Sequence, residues 1–192
     1  MKNLFIFALA VLLAAPVFAG SAPKNWNFEA NEEGDCVVLK SIKTAKEAAE
    51  AFKAVRSAIN KQTFEKKDVI SNNEEGMLYS LKRNTQNRYN PFAGNFRESL
   101  VFKLEVKMVD GAVQIKAYDM MIESAYLGYG QREETFNIAN KIEEYNEAMD
   151  KVNNGKGKEK KDAKDVIEDI NESLNMCQEE LDKVLNAIEK AL

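Results

Sequence analysis

The chain has 192 residues, with 27 Lys+Arg against 31 Asp+Glu and no histidine. Without histidine, Ser-His-Asp and Cys-His catalysis and histidine-containing zinc sites are excluded, and two cysteines cannot build a four-cysteine site. The net charge of −4, with 10 basic and 16 acidic side chains in residues 131–192, gives no general attraction to nucleic acid.

The N-terminus sets the expected compartment. Lys2 supplies a positive n-region, Leu4 to Ala15 is an unbroken apolar run, and Pro16 ends it. Val17-Phe18-Ala19 then offers small or medium residues before a cut after Ala19. The run is shorter than the roughly 20 residues a membrane span needs, and polar residues follow at once. Residues 1–19 therefore read as a cleaved signal peptide. The mature chain is expected to be exported, periplasmic or secreted, without a transmembrane segment. Residues 20–35 read as a polar leader whose only large apolar groups, Trp26 and Phe28, would dock it on the domain edge.

Cys36 to Ile42 is β-rich and predicts a first strand. Thr44 and Glu47 fit a capping box, and Ala45, Ala48, Phe52, Val55 and Ile59 form one apolar stripe of a helix over 45–61. Residues 68–71 predict a short strand, 72–76 a turn, and 77–83 another strand. From 98 to 109, apolar Leu100, Phe102, Leu104, Val106 and Met108 alternate with a largely charged set. Asp110-Gly111 is a strong hairpin turn, and a return strand follows to about Ile122.

From 131 the period becomes helical. Ile138, Ile142, Tyr145, Met149 and Val152 mark one helix; Asn153 to Lys158 reads as a connection. A second helix, predicted to begin near Asp162, carries a heptad stripe from Ala163 to Ile188. The expected architecture is α+β: an antiparallel sheet in the order β-α-β-β-β-β over 36–130, with the helix on one face, then an antiparallel helical hairpin over 131–192. That hairpin either packs on the sheet or projects to self-associate.

The segments Asp68–Gly76 and Phe102–Ser124, taken with this order of elements, resemble a family of exported bacterial domains of unknown function with a TATA-binding-protein-like fold. The resemblance spans roughly residues 36–150. It implies a curved antiparallel sheet with helices on one face; it offers no catalytic residues to carry over and does not imply DNA binding, because a fold does not carry function.

Residues 82–97 read as a long loop holding Lys82, Arg83, Arg88 and Arg97 among Tyr89, Phe92 and Phe96, with no acidic residue. Arginine with aromatics is typical of contact surfaces. The candidate binding residues are therefore Arg83, Arg88, Tyr89, Phe92 and Arg97, joined by Tyr126 and Tyr129 from the next connection. The plain alternative is that the aromatics pack the loop down while the arginines are solvated. The expected partner is an envelope protein, an anionic glycan or a lipid headgroup; no cofactor and no metal is expected. Lys156 to Lys164 reads as a solvated tip, and Glu143-Glu144 as a solvent face. Cys36 and Cys177 permit one disulfide in an exported chain, or two small buried apolar residues; the sequence leaves this open. The expected function is a non-enzymatic exported binding or structural module, with assembly through the heptad helices as the alternative.

Overall fold

A computed structural model describes residues 23–73, 75–90, 94–127 and 132–192. The expected signal peptide, Phe92 and Tyr129 lie outside the described residues. Nine elements follow in order: β1 (Val38–Lys43), α1 (Ala48–Asn60), β2 (Lys66–Asn72), β3 (Gly76–Asn90), β4 (Gly94–Val109), β5 (Ala112–Leu127), β6 (Arg132–Asn137), α2 (Ile138–Asn154) and α3 (Gly157–Ala191). The six strands form one antiparallel sheet, ordered β1-β5-β4-β3-β2. β6 shares with β1 the free edge of β5: β1 pairs Ala112–Ala117, and β6 pairs Met121–Tyr126.

The alternation of β4 builds the core face. Leu100, Phe102, Leu104 and Val106 are buried, and Asp110 and Gly111 both take positive φ in the turn to β5 (49° and 72°), as the hairpin signal requires. A bulge then changes the phase of β5. Val113, Ile115 and Ala117 face inward, the register shifts opposite Val101–Lys103 with Asp119 at φ 51°, and inward facing resumes at Met120, Ile122 and Ser124. A second shift, between Asn84 and Gln86, does the same to β3.

The helices cover this face. Ala51, Phe52, Val55, Ala58 and Ile59 are buried on α1. The heptad stripe of α3 is buried along its whole length, from Ala163 through Leu174 and Leu181 to Ile188. Its lower half joins the sheet and α1 in one core, and Ala163 and Ile167 pack on Ala148 and Val152 of α2. The stripe is thus spent within the chain, which removes the projecting heptad surface that the assembly alternative relied on.

Several boundaries differ from expectation. The capping box does not form. Thr44 Oγ1 accepts from Lys46 N at 3.2 Å and closes a local turn, so α1 starts only after Glu47, whose side chain makes no cap bond. Residues 132–137 are a strand, not helix, because β5 outruns β1 and leaves an edge to be paired. Helix begins where Asn137 Oδ1 accepts from Ala139 N at 2.8 Å. α3 starts at Gly157, so most of the expected 153–158 connection is helical. Among the described residues no helix is long and apolar enough to cross a membrane.

The leader is more than an edge cover. Trp26 and Phe28 are buried in the core, two amide side chains of α3 hold the backbone beside them, and a third holds the Trp26 indole. Asn175 Oδ1 accepts from Asn25 N at 2.8 Å and its Nδ2 donates to Pro23 O; Gln178 Oε1 accepts from Asn27 N. Asn171 Oδ1 accepts from Trp26 Nε1 at 2.9 Å.

Cys36 and Cys177 are both free and buried. Each fills a core position as a small apolar group. Burial pushes the Cys36 thiol up to about 11, against a smaller lowering by the Glu29 backbone, and burial, helped by the charges of Glu98 and Glu180, raises Cys177 well above its ordinary value. Little thiolate is therefore present at neutral pH. A disulfide-exchange reagent should modify neither thiol in the native protein at pH 7 and both after denaturation without reductant. A denatured count of zero would show that the thiols are bonded.

Candidate functional site

Beyond the apolar core, β3 to β6 continue over α2 and α3. The cross-strand rows on the helix-facing side can be read from the register. The core row ends with Arg83, Leu100, Ile122 and Phe136. The next row is Gln86, Glu98, Ser124 and Glu134, and the outermost is Arg88, Phe96, Tyr126 and Arg132. The polar middle row is unusual for a face turned toward helices.

Glu98 sits at its centre, 5% exposed. Ser173 Oγ of α3 donates to Glu98 Oε1 at 2.8 Å, while Thr85 Oγ1 and Ser124 Oγ approach at 3.5 Å. No cation pairs with it among the described residues. Glu98 borders a cavity of about 220 Å³ between the sheet and the helix pair. Ile122, Phe136, Val166, Ile170 and Leu174 make its apolar walls; Ser124, Ser173, Lys141, Glu144 and Asp169 add polar groups. Lys141 Nζ is already engaged, 2.7 Å from Glu144 and 4.4 Å from the centre of the Phe136 ring.

The expected binding residues are distributed differently from the loop proposed for them. Residues 82–97 are the two arms of the β3–β4 hairpin, described through Asn90 and again from Gly94. The polar run hid the strands because apolar alternation stops at Arg83, while the backbone ladder continues. Arg83 is 8% exposed and ion-paired with Glu180, its Nε and Nη2 lying 2.7 and 2.6 Å from Oε2. Arg88 pairs with Glu172 of α3. Arg97 lies on the opposite face and pairs with Glu65; Lys82 there bonds Glu123 at 2.6 Å. All four cations are thus partnered within the chain. That weakens the expectation of a free anion-binding surface. Tyr126 packs at 4.9 Å on Phe96, and Tyr89 is 76% exposed on the outer face of the hairpin end. The structure brings Arg83, Arg88 and Tyr126 to one face and places Tyr89 and Arg97 on the other.

Glu98, Ser124 and Ser173 were missed as a group. The available signal was period: running the β4 alternation back from Leu100 puts a carboxylate on the apolar face at 98. Ser173 could be joined to it only by tertiary structure. Asn171, in an Asn-Glu-Ser sequon, is 3% exposed and bonded to Trp26, so in this fold it is closed to glycan attachment.

No protein-family model matches this sequence, and no curated protein matches it. Among solved structures it is similar to a TBP-like protein from Parabacteroides distasonis, with a TM-score of 0.50 and 16% identity over 84% of this chain and 97% of that one. It is also similar to a DUF4468 family protein from Bacteroides ovatus, with a TM-score of 0.48 and 11% identity over 82% of this chain and 88% of that one. The chain is an α+β domain with a TBP-like fold, and the likeness carries the fold and no activity.

Proposed function

We propose that this chain is an exported, non-catalytic binding module of the bacterial cell envelope that takes a small ligand between the overhanging sheet and the helix pair. Export is supported by the first 19 residues, with their positive start, apolar run and small residue at the cut. Binding is supported by one observation above others: a 95% buried carboxylate, Glu98, held only by hydroxyls, borders a cavity with apolar walls. A charge removed from water is costly unless compensated, and such costs collect where function requires them. A non-catalytic role is supported by the chemistry of the set. Ser124 and Ser173 donate to a carboxylate, and no histidine exists to activate either.

The test uses protein recovered from the periplasm. Intact mass should show loss of residues 1–19; retention of Met1 contradicts export with cleavage. A small-molecule library should then yield compounds that raise the melting temperature of the wild type and not of Val166→Phe, which fills the cavity from α3. Hits that act equally on both place binding elsewhere.

A further inference from the structure

The geometry points to a primary ammonium group on a short hydrocarbon chain, a free alkylamine or a lysine side chain, as the ligand of this cavity. This rests on the binding reading above and adds the chemical class.

Charge argues first. The cavity is bordered by three carboxylates, Glu98, Glu144 and Asp169, and by one cation, Lys141, which Glu144 already holds. An anion would meet net negative charge. A cation would supply Glu98 with the counter-charge that the described residues lack. Hydrogen bonding argues the same way. An ammonium donates three bonds and accepts none. Glu98 Oε2 has only a 3.5 Å contact from Ser124. The carboxylate at the cavity's edge thus keeps acceptor capacity that an ammonium could fill.

The walls argue for the hydrocarbon part. Ile122, Phe136, Ile170 and Leu174 would surround a short chain whose polar end reached Glu98. At about 220 Å³ the cavity is smaller than the roughly 300–1,000 Å³ of sites for drug-sized ligands, which suits a compact occupant. A metal ion fits the set poorly, since the three bordering carboxylates are not grouped so that they could hold one, and no such group of three occurs among the described residues.

The test is calorimetric titration of the mature chain with butylammonium, 1-butanol and butyrate, and with a doubly capped lysine as the side-chain source. Butylammonium or the capped lysine should bind saturably, the tighter of the two identifying the source, and butanol and butyrate should bind at least about tenfold more weakly, the scale of one lost charge-assisted hydrogen bond. Glu98→Gln keeps the shape, removes the charge and should weaken the ammonium by about tenfold or more. Because it also relieves an uncompensated buried charge, the same variant should melt at or above the wild-type temperature. Lys141→Gln, which removes the competing cation from the cavity wall, should tighten ammonium binding, and weaker binding would count against the assignment. If butanol or butyrate binds as well as the ammonium and Val166→Phe blocks it, the cavity stands as a binding site and the ammonium assignment falls. If ammonium binding survives Glu98→Gln unchanged, the assignment also falls. If none of these probes binds, the ammonium assignment falls, and the library screen still decides the cavity.

Discussion

Arg83→Ala should lower stability by about 2–3 kcal/mol, because it removes the buried partner of Glu180 and leaves that carboxylate only the more exposed Lys183. At the usual scale for a domain of this size, that is a fall of roughly 5–10 °C in melting temperature. The two side chains are 10% and 13% exposed, and the Arg83 guanidinium also lies 5.3 Å from the centre of the Phe64 ring. Sequence patterning alone would make Arg83 a dispensable surface cation; the fold makes it the tie between β3 and α3. The pair also predicts an acid limb. Burial pushes the Glu180 carboxyl up, but hydrogen bonds and charge from Lys183 and Arg83 outweigh it and hold the group below its ordinary value of 4.5. A depressed carboxyl contributes stability that is present above the unfolded-state value and is lost as pH falls through the lower folded-state value. The wild type should therefore lose stability below about pH 4.5 more steeply than Glu180→Gln. Parallel acid limbs would contradict this, as would an Arg83→Ala melting temperature within a degree or two of wild type.

Trp26→Ala should be more severe, at about 3–5 kcal/mol, the range for truncating a buried tryptophan. Trp26 is 4% exposed, meets Tyr145 of α2 edge to face at 5.3 Å and bonds Asn171 of α3. It therefore joins the leader to both C-terminal helices, and losing it leaves the Asn171 carbonyl oxygen without that donor. Trp26→Phe, which keeps most of the apolar contact, should cost about 1–2 kcal/mol through the lost hydrogen bond. Chemical denaturation followed by far-ultraviolet dichroism separates these outcomes. In the wild type the same transition should appear in fluorescence, since Trp26 is the only tryptophan. If Trp26→Ala unfolded at the wild-type midpoint, the leader would be an ornament and not part of the core.

What was legible followed the apolar period. The β4–β5 hairpin, the α1 stripe and the α3 stripe are regular, and regular burial leaves a regular trace in Leu100–Met108, Phe52–Ile59 and Ala163–Ile188. The parts that escaped are those where pairing, not burial, determines structure. Arg83 to Asn90 is a strand because β4 runs beside it, and 132–137 is a strand because β5 offers an unpaired edge. The bulge at Asp119 is equally hard to foresee, since its effect is a change of phase and not a break in composition. Of the candidate site, Arg83, Arg88 and Tyr126, read from the sequence, lie on the same end of the sheet as the cavity. Sequence alone mistook internally paired arginines for free ones, because Glu172 and Glu180 lie more than eighty residues away in the chain.

The central claim is that the cavity bordered by Glu98 receives the ligand. Amide resonances of the mature chain followed by NMR during titration with butylammonium test it most directly. Shifts should gather at Ser124, Phe136, Lys141 and Ser173, and should shrink in Glu98→Gln. Shifts confined to the exposed hairpin end around Tyr89, with the cavity residues unmoved, would contradict the claim.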